Sequence, residues 1–191
     1  TSRSCATLPG VAPGAPQCII NGGDARARGL ELEVTAIPVR GVTLTGNAAY
    51  TDTQYTRVDP RVRNPTDGTF IVQYIPKYTA NFAAMYRGPD AIVGDAHLNA
   101  RLDASFNSST WAGSNARSEI NLIGKVPSRW VFNGRAGLAG FKVAGADTEI
   151  AIFGKNLLDN KRKAYSAYLA LSIMGTYLQA RTYGVEVNAS F

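Results

Sequence analysis

The sequence predicts an all-β fold, an antiparallel transmembrane β-barrel to which this chain contributes about seven strands, and three observations carry that expectation. First, the final stretch Thr182–Phe191 alternates without a break. Tyr183, Val185, Val187, Ala189 and Phe191 fall on one face, and Thr182, Gly184, Glu186, Asn188 and Ser190 on the other, the period of a strand with one apolar and one wet side. About ten such residues, tilted, cross a hydrocarbon layer. Second, similar segments recur along the chain and are joined by connections that alternate between long and short, the pattern of barrels with long external loops and short periplasmic turns. Third, no run of 18 apolar residues occurs in the 191, which removes a transmembrane helix while leaving barrel strands untouched, since a barrel strand shows lipid only every second side chain.

Taken in order, residues 1–23 read as an external loop. Pro9, Gly10, Pro13, Gly14 and Pro16 recur too densely for a ladder, because proline lacks a donor and glycine weakens pairing. The segment holds the only two cysteines, Cys5 and Cys18. Two cysteines in one loop fit a single disulfide in an oxidising compartment, contributing roughly 3 kcal/mol by loop closure. Residues 24–191 read as the barrel portion. Leu30, Leu32, Val34 and Ala36 alternate with Gly29, Glu31, Glu33 and Thr35, Pro38-Val39-Arg40-Gly41 turns the chain, and Val42, Leu44, Gly46, Ala48 and Tyr50 return it.

A breaker-rich loop is expected from about Asp52 to Pro76. A third strand begins at Lys77 and turns at Gly88-Pro89-Asp90, and a fourth, starting near Gly94, carries Ala96, Leu98, Ala100, Leu102, Ala104 and Phe106. After a second long loop, Ser128–Lys142 places Trp130, Phe132, Gly134, Ala136 and Leu138 on one face, and Gly145-Ala146-Asp147 turns it into a strand ending at Asn156. The last long loop is expected over Asp159–Gly175, with an apolar run Tyr168–Met174 that fits packing among loops, a ligand or a partner subunit.

This arrangement puts Tyr50, Tyr78, Phe106, Trp130 and Tyr183 near the outer interface and Tyr86 and Phe191 near the inner one, as candidate aromatic girdles. The same alternation also fits a soluble sandwich, whose core would then hold these rings. Glu31, Glu33, Arg101, Asp103, Arg135 and Glu186 share the wet, lumen-facing side, where contact with a plug or with the wall itself is favoured over substrate binding. The net charge of +6 is scattered rather than gathered on one element, which argues against nucleic acid. It suits the phosphates of outer-membrane lipid and lipopolysaccharide, or simply a solvated surface. With His97 the single histidine, neither a metal site nor a catalytic constellation emerges, no cofactor is expected, and the chain does not read as an enzyme.

The Ala25-Arg26-Ala27-Arg28-Gly29-Leu30-Glu31 strand within Asn21–Glu33, the Pro76-Lys77 strand entry, Asn156-Leu157-Leu158-Asp159 before the last loop, and the alternating strand closing on Phe191 are four stretches in which the chain resembles TonB-dependent outer-membrane receptors. Leu158 stands where an aromatic is more usual. The resemblance implies a bacterial outer-membrane location, energy-coupled import of a scarce, bulky nutrient, an N-terminal plug with a TonB-contacting segment, and recognition of Tyr183, Val185, Val187, Ala189 and Phe191 by the barrel-assembly machinery. Single-chain barrels have even strand numbers, so about seven strands imply the C-terminal part of a larger barrel, 22-stranded in transporters. The competing expectation is a structural or adhesive barrel subunit without transport, completed by another chain.

Overall fold

In the computed structural model, residues 21–60, 70–113, 119–169 and 172–191 are described. Seven strands form one antiparallel sheet in chain order: β1 (Gly23–Ala36), β2 (Val42–Val58), β3 (Tyr78–Val93), β4 (Ala96–Asn107), β5 (Arg129–Val143), β6 (Ala146–Lys155) and finally β9 (Thr182–Ser190). Two further strands, β7 (Lys163–Leu169) and β8 (Ser172–Tyr177), make a separate hairpin, and a short helix, α1 (Glu119–Gly124), lies in the connection before β5.

The alternation read from the sequence holds through the register. Leu32 pairs with Ala48, Ala48 with Ala80, Phe82 with Ala104, Leu102 with Gly134, Ala136 with Ile152, and Ile152 with Val185. One face of the sheet is therefore apolar across all seven strands. It stays open: Leu30, Leu32, Leu102, Ile152, Val185 and Val187 are each more than 60% exposed. No layer packs on this face among the described residues, which form no sandwich. Near the long-connection end, rings from adjacent strands touch, with Tyr50 5.3 Å from Tyr78 and Phe106 5.0 Å from Trp130, and within β5 Trp130 lies 5.8 Å from Phe132.

Several boundaries differ from the sequence expectation. β2 runs on to Val58, because Thr51–Val58 stays paired with Gly23–Gly29 and Asp24 holds Arg57 at 2.7 Å; the first hairpin thus climbs well past the row of rings. Gly88-Pro89-Asp90 is not a turn. It is an irregular stretch within β3, where the register shifts between Arg87 and Val93, and a bulge tolerates a proline that a regular ladder would not. The chain turns instead at Gly94-Asp95, with Gly94 at φ 56°. The next turn is Ala144-Gly145, both at positive φ, the two-residue hairpin whose twist matches its strands.

The last long connection is not a simple loop, since β7 and β8 pair within it. In the sequence its apolar run does not alternate and holds no glycine or asparagine, so neither strand signal was present. β1 begins one residue earlier than expected, at Gly23. Cys5 and Cys18, the expected disulfide, lie outside the described residues, as does most of the segment 1–23.

Candidate functional site

The polar face carries the sheet's chemistry, and the six charged residues singled out in the sequence fall there into three groups. On β4, the Arg101 guanidinium folds onto Asp103, at 2.6 Å, and also donates to the Met85 sulfur at 3.1 Å. Arg135 stands opposite Arg101 in register. Like charges facing across a ladder repel, and each guanidinium turns to its own carboxylates. Arg135 reaches Glu149 at 2.7 Å and Glu186 at 3.4 Å, while the Asn188 amide donates to Glu186 (2.6 Å) and to Glu149 (3.5 Å). Three strands, β5, β6 and β9, are thereby tied by one cation between two anions. Glu31 and Glu33 form the third group. They stand on β1 opposite Ala49 and Asn47, and among the described residues neither has an ion-pair partner.

All six charged residues singled out in the sequence thus share one face, but only Arg101 with Asp103 and Arg135 with Glu186 come together. Glu149 was missed. Its signal was available, because it has the parity of Ala151 and Phe153 and opposes Ile150 and Ile152.

Phe153-Gly154 on β6 lies against Tyr183-Gly184 on β9, with Gly154 opposite Tyr183 and Gly184 opposite Phe153. On the apolar face the Tyr183 ring lies 3.0 Å from where a Gly154 Cβ would sit, and on the polar face the Phe153 ring covers Gly184 at 2.5 Å from its would-be Cβ. Each aromatic fills the gap left by the facing glycine, the pairing that protects glycines in sheets. With a ring on both faces, a one-residue slip of β9 would drive each ring into a side chain.

At the long-connection end, Asn156 organises the knuckle that leaves β6. Its residue is buried and holds φ 49°, a left-handed conformation that asparagine tolerates. The Asn156 amide donates to the carbonyls of Asn160 (3.0 Å) and Gln179 (2.8 Å), its oxygen accepts from the Asn160 N–H (2.9 Å), and its own N–H donates to Asn133 (3.0 Å). Asn160 reaches the Trp130 carbonyl at 2.9 Å, and Asp159 accepts from the Arg181 N–H at 3.2 Å. The Asn-Leu-Leu-Asp stretch therefore ties β5, β6 and the approach to β9 together. The Arg181 N–H and the nearby Lys161 hold the Asp159 carboxyl below the usual aspartate range.

Above it the loops pack on one another. Tyr74 stacks on Tyr165 at 5.5 Å, the Tyr74 N–H donates to the Trp111 carbonyl, and Lys163 Nζ donates to the Ile123 carbonyl near the end of α1. Packing within the loop cluster accounts for this part of the hairpin, while Met174 and Tyr177 stay exposed.

A seven-stranded antiparallel sheet, apolar on one open face and charged on the other, with short turns at one end and long connections at the other, is the wall of a membrane barrel. Residues 3–157 match the family described as TonB dependent receptor-like, beta-barrel. The chain belongs to that family. A solved structure, the ferric citrate transporter FecA in its unliganded form, shares the fold with a TM-score of 0.59 at 18% identity. The likeness covers 86% of this chain and only 25% of that one, so this chain spans about a quarter of its structural neighbour. The family resemblance read from the four stretches is borne out, Leu158 notwithstanding.

Proposed function

We propose that this chain forms a seven-strand sector of the wall and external loops of a TonB-dependent outer-membrane receptor that imports a scarce, bulky nutrient by energy-coupled transport. The apolar belt running in register across all seven strands supports this most directly, because only lipid leaves such a face open without cost. In this reading the belt meets hydrocarbon, the Glu31/Glu33 and Arg135 groups face the lumen and its plug, and the loop cluster over β7–β8 stands outside. Both edges of the sheet then pair with the rest of a larger, 22-stranded barrel. The plug's change of state is driven by TonB through an N-terminal segment, and no bond is broken in transport.

The deciding experiment uses the native protein from the bacterial envelope. Its intact mass should be several times the 20.4 kDa of this chain, and a purified periplasmic TonB domain should bind it. A native mass near that of this chain, with no TonB binding, would replace the receptor by a structural barrel subunit completed by another chain. Orientation is read separately: a cysteine placed at Thr176 should react with an impermeant reagent on intact cells.

A further inference from the structure

The β7–β8 hairpin is a two-stranded sheet of its own, and its two outer edges are unlike. On β7 the register shifts between Lys163 and Tyr165, so Ala164 is an extra residue in the strand, and its carbonyl accepts from the Arg129 guanidinium at 3.2 Å. A bulge and a side chain thus blunt that edge, which is how edge strands are ordinarily protected. β8 has neither. It runs in unbroken register from Ser172, opposite Leu169, to Thr176, opposite Tyr165, and Ser172-Ile173-Met174-Gly175-Thr176-Tyr177 contains no charge and no proline. Among the described residues the Ile173–Tyr177 backbone has no partner outside β7, and Met174 and Tyr177 stand exposed along it. At the root of the hairpin are three cations whose donors end on carbonyl oxygens: Arg129 on Ala164, Arg162 on Ser128, and Lys163 on Ile123. A carbonyl satisfies the donor and leaves the charge. No carboxylate pairs with any of the three among the described residues, and the single acid of the connection 156–181, Asp159, is held by Lys161 at 3.3 Å.

We infer that the free edge of β8 is a strand-addition site for an extended, acidic segment of a partner protein at the cell surface. The chemistry on both sides matches. An added strand gains main-chain hydrogen bonds along the edge, and its alternate side chains lie beside Met174 and Tyr177. Carboxylates at the end of the segment nearer Tyr177 come beside Lys163, which faces Tyr177 in register, and meet charge that the hairpin leaves uncompensated. A second copy of the hairpin offers the same ladder but brings the same three cations, and like charges set against each other in an interface oppose docking. Cargo is disfavoured for a different reason: an edge ladder fixes main chain without enclosing it, which suits a partner that stays outside, whereas a nutrient has to be released toward the lumen. This site rests on the outward placement of the long loops proposed above, which the Thr176 labelling tests by itself.

The experiment follows binding to the full-length receptor in detergent micelles by fluorescence anisotropy. Three labelled peptides serve as probes: a peptide of alternating valine and threonine ending in glutamates, the same peptide ending in lysines, and the acidic peptide with every amide N-methylated, which keeps its charge and cannot enter a ladder. The acidic peptide should bind at least about tenfold more tightly than either of the others. Thr176→Glu, which places a charge on the edge, and Lys163→Gln, which removes one at its root, should each weaken that binding severalfold while heat-modifiable migration stays that of wild type. No binding of the acidic peptide by the full-length receptor means that another part of the barrel covers the edge, and overturns the site. Equal binding of the lysine or the N-methylated peptide overturns it too, as does full binding by a folded Thr176→Glu protein. A receptor that forms dimers and excludes the peptide overturns it in favour of a second copy, and TonB-dependent accumulation of the acidic peptide inside cells overturns it in favour of cargo. Because the three-peptide comparison needs no variant, the inference stays open to refutation even where a substitution prevents folding.

Discussion

The two edge strands, β1 and β9, occupy equivalent positions and are held very differently. Both leave one row of backbone groups unpaired among the described residues. β9 is locked on every side that it shares with β6: Glu186 and Asn188 join the Arg135 cluster, Tyr183 and Phe153 cover facing glycines, and Arg181 and Gln179 are tied to the Asn156 knuckle. β1 is longer, yet 13 of its 14 residues are exposed, and its two carboxylates on the polar face, Glu31 and Glu33, have no ion-pair partner among the described residues. One edge is finished from within the chain. The other carries two carboxylates that have no cation among the described residues, so its polar face is tied to its neighbour less firmly than that of β9.

That contrast presumes that the polar face is turned away from lipid, and the largest expected effect tests the premise. On β4, Leu102 is 61% exposed on the apolar face and Arg101 is its neighbour on the other. Leu102→Arg should destabilise folding into lipid by about 2–4 kcal/mol near the bilayer centre. Arg101→Ala should cost much less, because it removes a largely exposed pair. Urea titrations in lipid vesicles give both numbers, and equal costs would mean that the faces have been assigned the wrong way round.

A smaller effect sharpens the comparison itself. Arg135→Ala leaves Glu149 and Glu186 close together without their shared cation, and should cost about 1–2 kcal/mol, reduced from a buried pair's value by their partial exposure. Arg135→Lys should recover little of it, since an ammonium cannot fork between two carboxylates. Glu31→Ala and Glu33→Ala should each stay within about 0.5 kcal/mol in this sheet. Should the β1 substitutions cost as much as Arg135→Ala in the same titration, the two edges are not held differently.

The Asp159 knuckle adds a pH-dependent effect on the β9 side. The Arg181 N–H and Lys161 depress this carboxyl, so what it contributes is present in full above the ordinary aspartate value, about 3.9, and is lost as pH falls from there through its lowered value in the folded protein. Protease cleavage of the β6–β9 connection should therefore rise on acidification below that point, and Asp159→Asn should cut early at neutral pH and flatten the profile. A wild-type profile that Asp159→Asn leaves unchanged removes Asp159 from the hold on β9.

The alternation of β1–β5 and β9 could be read from the sequence because it is a property of single residues: Leu30 or Leu102 announces its side without reference to a neighbour. What escaped was whatever depends on partners. Asp52–Val58 looked like loop, since its polar residues carry no alternation, and only pairing with Gly23–Arg28 makes it strand. Gly88-Pro89-Asp90 carries strong turn residues, yet the ladder absorbs them as an irregularity. Asn156 read as one letter of a motif, whereas its work lies in bonds to residues 23 positions away on either side, Asn133 and Gln179. The six charged residues on the polar face looked alike for the same reason, and the division between satisfied and unsatisfied carboxylates needed Glu149, which comes from a different strand.

The smallest effect on stability is expected at the end of β9, and there it separates folding from recognition. Phe191 is fully exposed, so Phe191→Ser removes no packing from this sheet, and refolding into lipid vesicles should match wild type. If the terminal strand with its apolar stripe Tyr183, Val185, Val187, Ala189 and Phe191 is what the assembly machinery reads, the same substitution should nevertheless lower the amount of folded barrel in the outer membrane, because it removes the stripe's aromatic at the interface. Ser190→Ala, on the opposite face, controls for disturbance of the terminus and should leave both measurements unchanged. A loss that appears in cells and not in vesicles assigns Phe191 to recognition. A loss in both would mean that the ring anchors β9 to lipid directly, and wild-type levels in both would leave β9 an edge held only by its bonds to β6, with no signal at its end.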